Sequence, residues 1–464
     1  MKTRFAPSPT GYIHMGNART ALFSYLAAQA AGGDFVLRIE DTDAERSREE
    51  YVDALREDLL WLGLPWQEGP DADKGNGPYW QSQRDAIYAE YYQKLQDMGM
   101  VYPCFCTPVE LEVMRKMQAQ AGLPPRYDGR HANLTPEQVA QRKAEGQPFT
   151  LRFRVPKGEE VVFDDMVKGK QRFKTDDIGD FIIARGDGSP AFFFCNAIDD
   201  ALMGITHVLR GEDHLTNTPR QIMMLKALGL SIPQYGHMNL ILGTDGAPLS
   251  KRNGSRNIRQ MQSEGFRPDA VLNYMARLGH YYENPAYMTP AELGAQFKVE
   301  NCGSAPARFD EAQLHYWQKE AVMRMDDASW WEWIGAETRA LVPSTQQAAF
   351  IEAIRPNTVF PQDALTWAKI LFTPLAFDSE TEAAIAAAGP AFLTAVEANV
   401  QVSYAEMIDS VKTASGAKGK ALFLPLRLLM TARHDGPEMA KLWQLIGSEA
   451  MLARLGQVMM VKEG

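Results

Sequence analysis

The amino-acid sequence predicts a Rossmann-like parallel-sheet domain of α/β type, split by an α+β insertion and followed by an all-α part. Three observations carry this expectation: strand and helix patterns alternate over the first 65 residues, the alternation resumes near residue 206, and strand signals vanish beyond about residue 257. At 464 residues and a formal net charge of −10, the chain has room for several domains and carries no general basic coat. A peptide hormone, a disulfide-knit toxin and a one-domain binding module are thereby excluded. Any polyanion must be met by local basic patches.

The first strand is expected over residues 3–6, then a Pro/Gly loop, a helix over 18–31, a buried strand over 34–39 and a helix over 47–62. Ser47 and Glu50 have capping-box spacing, and Gly63 follows the helix end. This βαβα order implies a parallel sheet. Residues 101–192 have another texture, with proline-punctuated helices over 108–120 and 136–145 and then short strands over 150–155 and 181–184. They read as an insertion between a first half at 1–100 and a second half at 193–256, which contains a strand over 206–209, a helix over 219–228 and a strand over 235–242. Helical domains over 257–322 and 323–464 complete the expected division.

Four cysteines, at 104, 106, 195 and 302, are too few for a disulfide framework and suit a reducing compartment. The first residues lack the apolar stretch of a secretory signal, and the alanine-leucine run over 21–31 falls short of the ~20 residues that span a bilayer. A cytoplasmic protein without membrane contact is expected. Residues 370–411 contain neither lysine nor arginine, whereas Lys412, Lys418, Lys420, Arg427 and Arg433 follow with no acid between them. That switch reads as a polyanion contact or as a solvated basic face.

Two segments carry most of the chemistry. Residues 7–17, between the first strand and its helix, contain Pro9, Gly11, His14, Gly16 and Asn17 at the sheet edge where such folds bind ligands. The glycines leave room for a phosphate chain, the helix start offers unpaired N–H groups, and His14 can donate to a phosphate oxygen. A histidine that merely caps a turn is the plainer reading. Residues 248–254 contain Leu249, Ser250, Lys251 and Arg252, a loop able to close over a triphosphate and stabilise charge as pyrophosphate leaves. Taken alone, it reads equally as a solvated loop.

The run His14-Met15-Gly16-Asn17 resembles the HIGH motif of class I aminoacyl-tRNA synthetases, with Asn17 in place of the last histidine. Residues 248–252 resemble their KMSKS motif, with Pro248 in place of the first lysine. Residues 5–11 (FAPSPTG), 38–43 (RIEDTD), 127–130 (YDGR), 204–213 (GITHVLRGED), 419–423 (GKALF) and 436–438 (GPE) extend the likeness over the whole chain. The sequence is similar to the bacterial-type glutamyl-tRNA synthetases. This resemblance implies a catalytic domain split by an acceptor-binding insertion, then helical stem-contact and anticodon-binding domains. It also implies ATP and Mg²⁺, with L-glutamate and tRNA (tRNA-Glu, tRNA-Gln or both) as substrates, in a monomer that binds no DNA.

By the same resemblance, His14 and Lys251 are the catalytic residues, and ATP is held by Pro9, Gly11, His14, Gly16, Asn17, Leu249, Ser250, Lys251 and Arg252. Glutamate needs arginine forks for its carboxylates and a buried acid for its ammonium group. The resemblance gives Arg4 to the side-chain carboxylate, Glu40 and Ser8 to the amino group, and Asn196 and Arg210 to the other carboxylate oxygens. An ordinary strand-end salt bridge is the plainer role for Glu40. Phe192 stands where the family commonly has tyrosine, removing one hydrogen bond to substrate, about 1 kcal/mol.

Relatives hold zinc in the insertion, and Cys104-x-Cys106 fits that pattern. The segment at Tyr127 lacks further cysteines and leaves only Tyr127 and His131 as completions, so an empty site, with no metal, is expected. In the anticodon domain, Asn357 follows Arg355-Pro356 where relatives commonly place an arginine that reads the third anticodon base. Asparagine offers both a donor and an acceptor, which predicts relaxed or shifted tRNA specificity unless a neighbouring side chain does the reading. Three rivals were weighed. A tRNA-modifying glutamyl transferase would lack the helical third, a glutaminyl enzyme would carry C-terminal β-barrels, and a non-catalytic tRNA-binding relative would tolerate loss of His14 and Lys251.

Overall fold

The computed structural model describes residues 1–460 apart from Ala44 and Pro124, and not the side chains of Lys251 and Met460. Two compact units emerge: Met1–Met261 with Val271–Glu311, and Gln262–Ala270 with the helices from Ala312 onward.

The first unit opens with β1 (Lys2–Phe5), α1 (Met15–Ala30), β2 (Asp34–Leu37) and α2 (Glu49–Trp61). β1 and β2 pair in parallel, with Arg4 opposite Val36. Ser47 does not cap α2, which starts at Glu49 behind Arg48. Its N–H bonds the Asp43 carbonyl at 2.9 Å, and its hydroxyl has no partner among the described residues. The C-terminal signal holds: Gly63 adopts a φ of 73°, and Leu64 N–H reaches back to the Leu59 carbonyl at 2.9 Å.

After α3 (Asp85–Asp97) the inserted segment contributes β3 (Val101–Cys104), α4 (Pro108–Gln120), α5 (Pro136–Ala144) and β4 (Thr150–Phe153). The hairpin β5 (Glu160–Asp165) and β6 (Gly169–Lys174) follows, then the short α6 (Thr175–Ile178) and β7 (Phe181–Ala184). Thr107 with Glu110 and Thr135 with Gln138 form full capping boxes at α4 and α5, with proline at each first turn. Strands β3, β4 and β7 form an antiparallel sheet.

The parallel pattern returns with α7 (Phe192–Leu202), β8 (His207–Gly211), α8 (Thr218–Ala227) and β9 (Gln234–Met238). β8 and β9 are parallel, and their register sets Arg210 directly opposite His237. Thr206 N–H bonds the Lys2 carbonyl at 2.9 Å, joining the two halves of the split domain side by side. The expected strand over 235–242 breaks at Asn239, leaving β10 (Ile241–Leu242), and this pairs with β11 (Ala307–Arg308), a two-residue strand inside the region expected to be all-α. Two residues are too few to leave a periodic signal.

In the second unit the described regular elements are helical, including Pro361–Phe372, Pro390–Ala398, Tyr404–Ser415, Lys420–Thr431 and Met439–Met460, the last broken at Gly447 with a φ of 75°. Trp330, Phe350, Phe392, Met407, Leu426 and Leu442 are fully buried in one continuous core. Each helix presents one apolar stripe to that core, as its sequence spacing predicts.

Candidate active site

β1 ends at Phe5 and β8 at Gly211, and both carboxyl ends border one cavity of about 580 Å³. Parallel sheets place ligands at this edge because the loops there leave helix N-termini and strand carbonyls facing a common crevice. Arg4, Ser8, Glu40, Phe192, Asn196 and Arg210 line it, together with His14, Gly16, Asn17 and Leu249. Residues expected at two different ligands thus share one wall.

At the end lined by Arg4, Glu40, Asn196 and Arg210 the charges are buried and tied to one another. Arg4 Nε donates to Asp200 Oδ1 at 3.1 Å, and Arg38 Nη1 donates to the same oxygen at 2.7 Å. Arg38 also reaches Glu40 at 3.4 Å, and Asp199 holds Arg84 at 2.7 Å. Burial opposes the Asp200 charge, but the Arg4 and Arg38 guanidinium groups outweigh it and hold the carboxyl below its ordinary value. Burial prevails at Glu40 and raises its carboxyl, only partly offset by Arg38, Arg4 and Asn196. Glu40 is thus a buried acid whose charge is met by Arg38 at 3.4 Å and by the Asn196 amide.

Asn196 lines the cavity and is tied into this cluster. Its Nδ2 donates to Glu40, while its Oδ1 accepts from Arg4 at 3.4 Å and Gln221 at 3.2 Å. It orients the charged residues around it. Phe192 stacks on His214 with centroids 5.0 Å apart, and burial lowers that imidazole to about 4, so it is neutral. Arg38 stands in the sequence only as the start of the 38–43 segment, with no role of its own, and Asp199, Asp200 and Arg84 carry no sequence signal. Asp41, in the 38–43 segment, instead fixes Ser82 with bonds of 2.9 and 2.5 Å.

The nucleotide end is made of exposed loops. His14 is the extended residue before α1, and a Cβ on Gly16 would lie 3.2 Å from its imidazole, so glycine there leaves that ring its place. Pro9, Gly11, Ser250 and Arg252 do not line the cavity; Thr10 and Pro248 do. The Pro9 carbonyl is turned to Arg48 N–H at 3.2 Å, and the Ser250 hydroxyl faces Asn253 at 3.1 Å. The Lys251 side chain lies outside the described residues, and its backbone begins a 3₁₀ turn, Lys251–Asn253. Asn253 laces this loop, accepting Ser250 N–H at 2.5 Å and donating to Asp245 at 3.0 Å and the Pro248 carbonyl at 3.1 Å. Just beyond it, Asn257 bridges His14 and Ile258 N–H bonds the Ile13 carbonyl at 2.9 Å. The two motif loops are joined through the backbone.

Within the inserted segment, Cys104, Cys106 and His131 gather their donor atoms within 4.8 Å of one another. The Tyr127 hydroxyl lies 3.3 Å from Cys104 Sγ and 3.9 Å from Cys106 Sγ. The expectation of an empty site rested on missing cysteines, and the fold closes the donor set with a phenol and an imidazole instead. Burial works against a Cys104 thiolate, but hydrogen bonds from Tyr127, the Cys106 backbone and Arg152 pull it below the ordinary thiol value. Burial and the neighbouring Cys104 push Cys106 up to about 11. Burial keeps His131 neutral, as ligation requires. Three of these side chains, Cys104, Cys106 and His131, could hold a metal ion, with the Tyr127 phenol beside them in place of a fourth thiol or imidazole.

In the second unit, Asn357 closes the turn Arg355–Asn357 and lines a recess of about 330 Å³ with Asp363, Thr366, Trp367, Arg433, Asp435 and Gly436. Arg433 lies over the Trp367 ring at 5.6 Å. Lys412, Lys418 and Lys420 are exposed nearby in sequence.

Comparison with known proteins agrees with this arrangement. Residues 1–316 match the family described as tRNA synthetases class I (E and Q), catalytic domain, and residues 340–459 match the anticodon binding domain. The chain is 55% identical over 462 residues to glutamate–tRNA ligase 1 of Methylococcus capsulatus, covering 98% of each chain. It is 53% identical to glutamate–tRNA ligase 2 of Nitrosococcus oceani, covering 98% of this chain and 97% of that one. Among solved structures, the glutamate–tRNA synthetase of Elizabethkingia anophelis superposes with a TM-score of 0.88 at 27% identity, covering 99% of both chains. A catalytic match over two thirds of the chain, an anticodon-domain match over much of the rest and end-to-end identity with such ligases lead to one conclusion: the chain belongs to the class I aminoacyl-tRNA synthetases, in the branch of the glutamate–tRNA ligases.

Proposed function

We infer that this enzyme activates L-glutamate with ATP and transfers it to the 3′ end of tRNA. The observation that carries the reading is the single cavity with buried arginines and a buried Glu40 at one end and the His14 and 248–252 loops at the other. In the first step the glutamate α-carboxylate attacks the α-phosphorus of ATP, giving glutamyl adenylate and pyrophosphate. In the second, a hydroxyl of the tRNA terminus attacks the acyl carbon and AMP leaves. No protein nucleophile takes part. ATP enters as its Mg²⁺ complex.

Arg4 takes the side-chain carboxylate, Glu40 and Ser8 the ammonium group, and Arg210 the remaining carboxylate, with Asn196 holding Glu40 and Arg4 in register. His14, the α1 N-terminus and Lys251 meet charge on the phosphates, so that catalysis is positioning and charge stabilisation. The enzyme works in the cytoplasm as a monomer. None of its described helices is long and apolar enough to cross a membrane.

The Asn357 recess receives the third anticodon base. A neutral side chain with both donor and acceptor admits guanine as well as cytosine, so tRNA-Gln is charged with glutamate alongside, or in place of, tRNA-Glu. Charging assays with transcripts of both tRNAs test this. The expected preference between them is below ~100-fold in kcat/KM, about 2.7 kcal/mol, and a larger preference for tRNA-Glu refutes it. Pyrophosphate exchange with glutamate, ATP and tRNA separates the ligase from a non-catalytic tRNA-binding relative.

A further inference from the structure

Arg210 is fixed by a chain of buried groups that begins outside the two halves of the catalytic sheet. Its Nε donates to His237 Nε2 at 3.1 Å, and its Nη2 donates to Thr218 at 2.8 Å and Gln221 at 2.7 Å. A guanidinium group has five N–H bonds, and these contacts use three of them. Nη1 has no partner among the described residues. On the far side of the imidazole, His237 Nδ1 meets Asp165 Oδ2 at 2.5 Å. Asp165 is the last residue of β5, in the inserted hairpin. Its other oxygen, Oδ1, accepts three backbone N–H groups, from Val167 at 3.0 Å, Lys168 at 2.8 Å and His237 at 3.1 Å. The hairpin is anchored a second time where Lys168 meets Glu212 at 2.5 Å and the Asn239 side chain.

We propose that Asp165 and His237 are positioning residues for substrate glutamate, through which the inserted hairpin sets the aim of Arg210. The proposal rests on Arg210 as a ligand of the glutamate carboxylate. A carboxylate at Nδ1 keeps the imidazole proton there and leaves Nε2 bare. Only a bare Nε2 accepts from Arg210 Nε–H. With the proton on Nε2, two donors face one another at 3.1 Å, the ring hydrogen turns to the Thr218 hydroxyl 3.0 Å away, and the Arg210 Nε contact is lost. Burial also keeps His237 uncharged, which removes the third possibility of a doubly protonated ring.

This wiring makes one isosteric substitution decisive. In Asp165→Asn the three backbone donors hold the amide oxygen in the Oδ1 position, so the NH₂ group takes the place of Oδ2. It donates to Nδ1 and drives the proton to Nε2. Pyrophosphate exchange with tRNA present should show the KM for glutamate raised at least tenfold, with the KM for ATP and for tRNA within twofold of wild type. Nitrogen-15 spectra should show His237 protonated on Nδ1 in the wild type and on Nε2 in the variant. A glutamate KM within threefold of wild type, or an equal rise for ATP, overturns the proposal. Arg210→Ala is the companion variant. If it leaves the glutamate KM unchanged, the assignment of Arg210 fails and the proposal falls with it. If it raises that KM while Asp165→Asn does not, the positioning chain alone is wrong. Should Asp165→Asn melt below assay temperature, His237→Gln carries the same test, with the same selective rise expected and its absence overturning the proposal.

Discussion

At the glutamate end of the cavity, Arg4, Arg38, Glu40, Asp200 and Arg210 are each no more than 4% exposed, whereas His14, Asn17 and Ser250 at the nucleotide end lie on the surface. The contrast follows from what each end must do. A small amino acid is told from its neighbours by charges that are already desolvated and fixed, because a competitor then leaves one of them unpaired at high cost. A triphosphate must enter and pyrophosphate must leave, so its loops stay open to water and gain their grip on closing.

The largest expected effect breaks the buried end. Arg4→Ala leaves Asp200 short of a partner and a substrate carboxylate without its fork. A loss of about 3–5 kcal/mol, roughly 10²–10⁴-fold in kcat/KM for glutamate, is expected in tRNA-dependent pyrophosphate exchange, together with a lower melting temperature. Unchanged kcat/KM places side-chain recognition elsewhere. At the open end, Lys251→Ala should slow single-turnover adenylation by ~100-fold or more while tRNA affinity and melting temperature hold, since a preorganised cation acts on transition-state charge. Equal rates in the variant refute its role.

A subtler probe of the open end is Gly243→Ala. The new Cβ would sit 2.4 Å from Asn253 Nδ2 and 2.9 Å from its Cβ, so the residue that laces the 245–253 loop must move. Overpacking of this kind costs ~1–3 kcal/mol, and kcat for activation should fall about tenfold with the glutamate KM unchanged. The smallest effect is a pH limb. Because burial raises the folded Glu40 carboxyl, its ionised form opposes folding at neutral pH, and that cost is relieved as pH falls through the raised value. Asp200 runs the other way: its depressed carboxyl adds stability above the ordinary carboxylate range, and this is lost as pH falls through the folded value. On the proposed assignment the substrate ammonium group binds the ionised Glu40, so log kcat/KM for glutamate should drop with unit slope as pH falls, at a pH above the ordinary carboxylate range. A flat profile to that pH removes Glu40 from the ammonium site.

The same contrast explains what was legible in the sequence. The His14 and 248–252 loops are local in the chain and carry their glycines, prolines and cations in a recognisable order, so they could be read directly. Arg4 and Asp200 meet across 196 residues, and nothing in the neighbourhood of either shows the pairing. Arg38 fails to stand out for the same reason, since its partners Asp199 and Asp200 lie on α7. The capping-box spacing at Ser47 goes unused because the helix starts at Glu49 with Arg48 as its N-cap, one residue past the serine. In the cysteine cluster, the sequence named Tyr127 and His131 as the two side chains left to complete the set, and the fold brings both to the thiols.

The side-by-side arrangement of β1 and β8 also has a consequence during synthesis. Lys2 and Thr206 are 204 residues apart, so the N-terminal strands leave the ribosome long before the neighbour that completes their sheet. At translation speeds of 5–20 residues per second that gap is roughly 10–40 seconds, during which the open edge of β1 is a template for wrong pairing. The inserted segment emerges in that interval with an antiparallel sheet of its own, β3–β4–β7, assembled from neighbouring stretches of chain.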